Sequence, residues 1–299
     1  WTIDEALPAL REAARETEFS GRVRWDTPAG TILLSGKQDD LYGDADLEGV
    51  AILVDLGGRS RYAGSAAAAG PGQIRAVLDL SPEVVLERPA AAAGSGIFGV
   101  GLFIAPEPGT KTVRAGDISM GAGLFGVGGA WLAGPVAADA GRFAMGAGAF
   151  GVGVLVTEGP GAQLSSDLAS QGYGFTRGAG HFVLRGGGGR AECGLRRPDA
   201  REGLAFISLC QGAGHGPRAF AAGGVGTALV DGSSNTLSAS YMSQGMGYWH
   251  GLGRLLVRGD GNRFQARRYA QGAGVHTAVG LFEVEGSRNE ARTWGGGPG

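Results

Sequence analysis

The residues best suited to chemistry in this 299-residue chain are three histidines that recur along it, His215, His250 and His276. Each follows a Gly-x-Gly phrase, at three, five and four residues past its first glycine, with Tyr248 and Trp249 alongside. Imidazoles brought together can ligate a metal or carry protons near neutral pH. No carboxylate or fourth ligand has an evident place beside them, so the plainer expectation is an aromatic column or solvent. A second candidate is the set Arg190, Arg196, Arg197 and Arg201 with Arg218, whose guanidinium forks suit an anionic sugar, a phosphate or a partner's carboxylate. Glu192, Asp199 and Glu202 are interleaved with them, which favours a self-neutralised, solvated loop. Asp39, Asp40, Asp44 and Asp46 offer the oxygen ligands that calcium prefers. Both the EF-hand frame and the strict calcium-roll repeat are missing, which favours a plain turn.

Other site types fail on pattern. Gly-x-Gly phrases recur throughout with no helix signal behind them, whereas a dinucleotide fingerprint needs one strand, one glycine turn and one helix. There is no Gly-x-Ser-x-Gly elbow, and Cys193 and Cys210 lack metal spacing. These two cysteines are read either as a disulfide across a loop or as two buried thiols. No metal or cofactor is expected. A net charge of −2 with no basic run argues against nucleic acid. No stretch reaches the 18 or more apolar residues of a membrane helix. The chain opens on Trp1 rather than Met, which is expected of a processed or trimmed product.

What would position these residues is a repeat. Its clearest copy is Phe143-Ala-Met-Gly-Ala-Gly-Ala-Phe-Gly-Val-Gly-Val-Leu-Val156. The first glycines of successive copies are Gly94, Gly121, Gly146, Gly172, Gly212, Gly245 and Gly272, at steps of 27, 25, 26, 40, 33 and 27. Worn copies upstream place markers at Gly43 and Gly70. A fixed period of this size signals a solenoid or propeller. Propeller blades need about 40 to 50 residues, and the leucine-rich frame is absent. The expected fold is therefore all-β, a single-stranded parallel β-helix of about nine to ten coils.

Stacking at about 4.8 Å per coil puts like residues in columns. The column before the marker reads Met120, Met145, Gln171, Gln211, Gln244, Gln271, so the four glutamines predict an amide ladder. The column four after it reads Phe98, Phe125, Phe150, Thr176, Gly216, Trp249, His276, with Phe175 and His215 entering by a one-residue slip. An aromatic stack is expected there. Glycine, at 60 residues, fits tight corners that need positive φ.

Residues 1–19 differ from the rest. Thr2-Ile-Asp-Glu5 fits a capping box, and Ile3, Leu7, Leu10 and Ala14 share one helical face. Pro8 predicts a kink or a later start. This short α-helical cap is expected to cover the open first coil. Residues 20–294 form the β-helix domain, and 295–299 a flexible glycine-rich tail. The long steps place loop insertions near 186–203 and 215–222, where repeat proteins often carry binding residues.

Gly259-Asp-Gly-Asn-Arg-Phe264 followed by Tyr269-Ala-Gln-Gly-Ala-Gly274 resembles the Gly-Asn-Asp-x-Tyr and Ala-Gln-Gly-x-Gly repeats of glycine-rich bacterial β-solenoid proteins. The resemblance covers roughly residues 35–294. It implies the fold and an exported location, in the periplasm, at the outer membrane or on the cell surface. Two turns, Glu158-Gly-Pro-Gly-Ala-Gln-Leu164 and Glu107-Pro-Gly-Thr-Lys-Thr112, have lost the acidic pattern, which argues against a calcium row. The functional expectation is a non-catalytic structural and interaction module, a rigid scaffold subunit that contacts other protein subunits. The alternative is a β-helix that binds or degrades polysaccharide, with Tyr248, Trp249 and Arg218 along a groove. Such an enzyme needs paired acids, and none fall on aligned coils.

Overall fold

A computed structural model describes residues 3–88, 90–196 and 207–293. Thr2, Arg197, Arg201, Trp294 and the 295–299 tail lie outside the described residues. The chain is a parallel β-helix whose coils run over three faces. The first face has 11 strands and the second 10. The third is built from two-residue strands, such as Gly123–Leu124 and Gly148–Ala149. Its two three-stranded parts are linked through the bridges Gly148↔Gly174 and Gly174↔Gly214.

Period-two alternation explains the first face. In Val152–Glu158, Gly153, Leu155 and Thr157 point inward while Val154 and Val156 point out. Strict register carries that choice from coil to coil. Phe103, Ala130, Leu155 and Phe182 are successive partners, and all are buried. The small Ala130 sits between Phe103 and Leu155, which lets large rings share the narrow interior. The recurring Gly-Val-Gly follows from the same narrowness. A β-carbon on Gly128 would collide with the Ala122 carbonyl of the third face.

The corner before each coil uses two consecutive left-handed residues, not glycine alone. Met120 and Gly121 have φ of 51° and 75°, and Gln171 and Gly172 have 51° and 80°. A side chain there costs about 1–2 kcal/mol. Burial of Met120 and Met145, and burial with hydrogen bonding of the glutamines, offsets it. Two upstream markers differ from expectation. Register through Ala69↔Gly96 and a φ of 51° make Ala67, not Gly70, the equivalent of Gly94. At Gly43 the corner is replaced by a short helix, α2 (Asp44–Leu47). Asp46 supports that helical turn by accepting the Gly43 N–H at 2.8 Å, while Asp44 accepts from the Ser65 N–H and Arg88.

The expected cap is shared by two elements. The strand β1 (Arg22–Thr27) pairs antiparallel with β2 (Gly30–Ser35) and ends the first face. The helix α1 (Ile3–Glu16) starts at Ile3 and continues through Pro8. It lies along the flank, not over the end. Leu7 and Ala14 pack with Leu80, against Leu56, Leu78 and Trp131. Arg11 reaches Glu107, and Lys37 bonds the Arg15 carbonyl at 3.1 Å. These contacts span successive coils, so the helix runs along the solenoid.

The first insertion begins later than 186, because Arg190–Cys193 is still a regular second-face strand. Cys193 and Cys210 form a disulfide across it, with Cα atoms 6.3 Å apart. Ile207–Cys210 then pairs with Tyr241–Ser243 as an added two-stranded sheet. The second insertion is an exposed turn through Pro217–Phe220.

Candidate functional site

The glutamine column is a continuous ladder. Nε2 of Gln211, Gln244 and Gln271 donates to Oε1 of the glutamine one coil earlier, at 3.1, 3.0 and 3.1 Å. Each amide also reaches across the interior to second-face carbonyls. Gln171 donates to Glu192 O at 2.9 Å, and Gln211 to Ala191 O at 3.1 Å. The ladder stops where Met145 begins, since a thioether offers only a weak acceptor at 3.9 Å. A second ladder runs through the turns. Asn262 accepts the Asn235 N–H, and Asn289 the Asn262 N–H, both at 2.9 Å.

The histidines enter an aromatic column and do not form a metal site. Among the described residues no group of three or more His, Cys, Asp or Glu is placed to hold a metal. His215 stacks on Tyr248 with centroids 5.3 Å apart, and its Nδ1 lies 3.2 Å from the Tyr173 hydroxyl. Burial holds His215 neutral and pushes its pKa down to about 4. His276 meets Tyr248 edge-on at 5.1 Å, and Trp249 lies 5.4 Å from His250 and 5.7 Å from His276. The one-residue slip occurs as expected: Phe175, one position before the Phe98, Phe125 and Phe150 column, meets Phe150 edge-on at 6.4 Å and stacks on His215 at 6.0 Å, and His215 pairs in register with Tyr248.

Those three phenylalanines do stack, with centroids 4.8 and 4.6 Å apart and planes within 2°. The row lies on the surface, at the corner between third and first faces. The rings are 53%, 47% and 41% exposed. All three residues are in the left-handed region, with φ of 55°, 50° and 47°. A bulky residue there is a backbone outlier, offset in part by the stacking of each ring on the next coil's. Beside the row, the outward residues of the first face are apolar. Leu102, Ile104, Trp131, Val154 and Val156 line a hollow of about 380 Å³ above Gly129.

The second face is the opposite in character. Its outward side chains form ion pairs between coils: Arg59–Glu83 at 3.0 Å, and Arg61 and Arg114 on Glu87 at 2.8 and 3.1 Å. A groove of about 510 Å³ lies here, lined by Arg114, Asp139, Gln163, Arg190, Glu192 and Arg196 among others. Arg196 binds Asp139 at 2.5 Å and Ser165 at 2.7 Å, while Arg190 Nε binds Glu192 at 2.6 Å. Of the interleaved acids, Glu192 does neutralise Arg190, while Arg196 is held by Asp139 of an earlier coil; Asp199 and Glu202, like Arg197 and Arg201, lie outside the described residues. Arg218 is elsewhere, exposed on the second insertion, and does not join Arg190 and Arg196.

The acidic cluster is used by the fold. Asp40 is buried and holds Arg22, Ser35 and Gln38, and Asp44 holds Arg88. Asp39 accepts the Arg59 N–H at 3.0 Å. Sequence reasoning missed the group behind them. Asp55 and Asp79 are register partners inside the first coils, both fully buried. Asp55 accepts the Tyr42 hydroxyl at 2.7 Å and Ser60 at 2.9 Å, and Asp79 accepts Tyr62 at 2.7 Å. Burial, then the neighbouring Asp79, pushes Asp55 up to about 7, and burial raises Asp79 as well. The buried Lys111 ammonium donates to the carbonyls of Pro82, Glu107 and Gly109, and burial lowers its pKa. The signal was present in Asp55-Leu-Gly-Gly58 and Asp79-Leu-Ser-Pro82, two strand-ending aspartates one period apart.

No protein-family model, curated protein or solved structure matches this chain. Among the described residues, no helix is long and apolar enough to cross a membrane.

Proposed function

We propose that the chain is a non-catalytic structural and interaction module, a rigid subunit of a larger assembly exported to a bacterial cell envelope. One observation carries this reading. Over the coils of residues 74–156 the two large faces are chemically opposite, the second ion-paired and self-sufficient, the first apolar and edged by the exposed Phe98, Phe125 and Phe150, whereas later first-face strands carry ion pairs such as Arg254–Glu283 at 2.5 Å. Contiguous apolar surface on this scale marks a contact surface. Ladders of amides along the axis supply the stiffness a scaffold needs. The exported location rests on the resemblance of the repeats and is supported by the Cys193–Cys210 disulfide, since such bonds persist in oxidising compartments.

The groove on the second face favours a second reading, a polysaccharide binder or a lyase or hydrolase. Glycosidic cleavage needs a carboxylic acid placed to give up a proton. Here Asp139 and Glu192 are each held by an arginine. Light scattering across a concentration series, beside an assay of sugar release from neutral and anionic polysaccharides, separates the two. The proposal expects species heavier than a monomer and no release. Sugar release abolished by Asp139→Asn or Glu192→Gln would transfer the function to the groove.

A further inference from the structure

We infer that Asp55 and Asp79 form a proton-operated latch: one proton held by the pair keeps the first coils closed and helix α1 seated, and its release as pH rises past neutrality loosens that end of the solenoid while the later coils stay shut.

Position fixes the charge count. The two aspartates end the strands Val50–Asp55 and Ile74–Asp79 and stand as register partners, so their Cα atoms are about 4.8 Å apart. Both are fully buried. Two carboxylates this close in a sealed interior do not both ionise. Their own column supplies no counter-charge. Ser35 precedes Asp55 in register, and the pairing Leu78↔Ile104 passes the column on to the buried Ala105. The Lys111 ammonium enters from the second face, donates to the carbonyls of Pro82, Glu107 and Gly109, and acts on Asp79 through space. It balances one negative charge, not two. A proton on Asp55 removes the other. The remaining charged groups nearby are committed elsewhere. Arg22 holds Asp40 and Asp46 at the rim, Glu107 turns outward to Arg11, and Arg59 pairs with Glu83 on the outer side of the second face.

The proton has a route out. The Tyr42 hydroxyl lies between two carboxyl groups, 2.7 Å from Asp55 and 3.1 Å from Asp40. It has one hydrogen, so it donates to one of them at a time. When Asp55 is protonated, Asp55 donates to Tyr42 and Tyr42 donates to Asp40. Transfer of the Asp55 proton to Tyr42, with the Tyr42 proton passing to Asp40, leaves the tyrosine neutral and moves one proton to the rim. Asp40 is 7% exposed there and is bonded to the part-exposed Gln38 and Arg22, and water takes the proton.

Sequence neighbours tie the pair to α1. Leu56 follows Asp55, and Leu78 and Leu80 flank Asp79. These three leucines are the seat on which Leu7 and Ala14 of α1 pack. Each strand end therefore holds a carboxyl inside and part of the helix seat outside. Charging both aspartates drives the two strand ends apart and disturbs that seat. Further along, the same interior column reads Ala105, Leu132, Thr157 and Leu184, which carry no charge. The response is confined to the first coils for that reason.

Hydrogen exchange of the full chain, read by mass spectrometry and corrected for the intrinsic pH dependence of amide exchange, tests the latch. Amides of α1 and of residues 50–88 are expected to lose protection by on the order of 100-fold between pH 5 and pH 8, the ratio for a carboxyl at about 7 when closed and 3.8 when open. Amides of Val152–Glu158 and Val225–Asp231 are expected to change by less than about threefold. Asp55→Asn keeps a neutral side chain at both pH values and abolishes the difference. If that variant does not fold, infrared spectra of the wild-type protein still decide, since a protonated carboxyl is expected to ionise between about pH 6 and 8, above the range of exposed carboxylates. Equal protection at both pH values, a loss spread evenly over all coils, an Asp55→Asn variant that keeps the wild-type difference, or the absence of any carboxyl ionising in that window overturns the inference.

Discussion

Replacing Gln211 with methionine isolates what the amide ladder contributes. The change keeps chain length, and the column accepts the shape, because Met145 and Met120 occupy it two and three coils away. What disappears is a set of hydrogen bonds. Gln211 donates to Gln171 Oε1 and Ala191 O, both at 3.1 Å, and accepts from Gln244 Nε2 at 3.0 Å. The variant leaves the Gln171 oxygen and the Ala191 carbonyl without those donors, and strips one acceptor from Gln244. A buried polar group left unsatisfied costs about 1–3 kcal/mol. Against this, burying a thioether in place of an amide recovers roughly 1–2 kcal/mol. The balance is a loss of about 2–4 kcal/mol. Gln271→Met provides the control. It makes one ladder bond at 3.1 Å and is slightly exposed, so water replaces part of the loss, and about 1 kcal/mol is expected. Changing all four glutamines together should cost less than the sum of the single changes, because no ladder group is then orphaned. Guanidinium unfolding followed by circular dichroism measures each value. Hydrogen exchange of the amides flanking Gln211 localises it. A Gln211→Met variant within 0.5 kcal/mol of wild type, or equal losses at Gln211 and Gln271, refutes the ladder as an energetic unit.

Two pH limbs follow from buried groups. Asp55 has a raised folded pKa, about 7 against 3.8, so its contribution is intact below the unfolded pKa and is lost as pH rises toward and through 7. Stability should fall by up to about 4 kcal/mol between pH 4 and 8, shared with Asp79, and Asp55→Asn should flatten that fall in thermal unfolding. A variant with the wild-type pH profile would show that the buried pair does not set it. His215 acts on the acid side. Its folded pKa is depressed to about 4 from 6.5, so the neutral ring must be charged at a cost as pH drops through that window, up to about 3 kcal/mol. His215→Phe keeps the stack and should remove the acid limb, with a pH-independent penalty for the Tyr173 hydroxyl, which loses its His215 partner. An unchanged limb between pH 6.5 and 4 would place the titration elsewhere.

Some features were legible because they repeat. A period of 24–27 residues in most steps, with apolar runs too short for helices, determined a stacked β-architecture. Stacking then made chemistry readable in one dimension. Gln171, Gln211, Gln244 and Gln271 each stand one residue before a marker glycine, so position within the repeat, despite unequal steps, put their amides in contact. The same logic failed where repeats were worn. Ala67 serves as a corner that the marker glycine failed to identify, since a buried column tolerates a left-handed alanine.

Only the tertiary structure decided which side of the wall each column faces. Phe98, Phe125 and Phe150 form the predicted stack, but on the surface, whereas Met120 and Gln171 at the same left-handed φ point inward, and no residue type announces that difference. Asp55, Asp79 and Lys111 carry the labels of surface residues, yet they close the interior, because their partners arrive from other coils and other faces. Spacing along the chain sets which residues stand above one another. Inside or outside depends on where separate faces meet, and that is settled only when the whole coil closes.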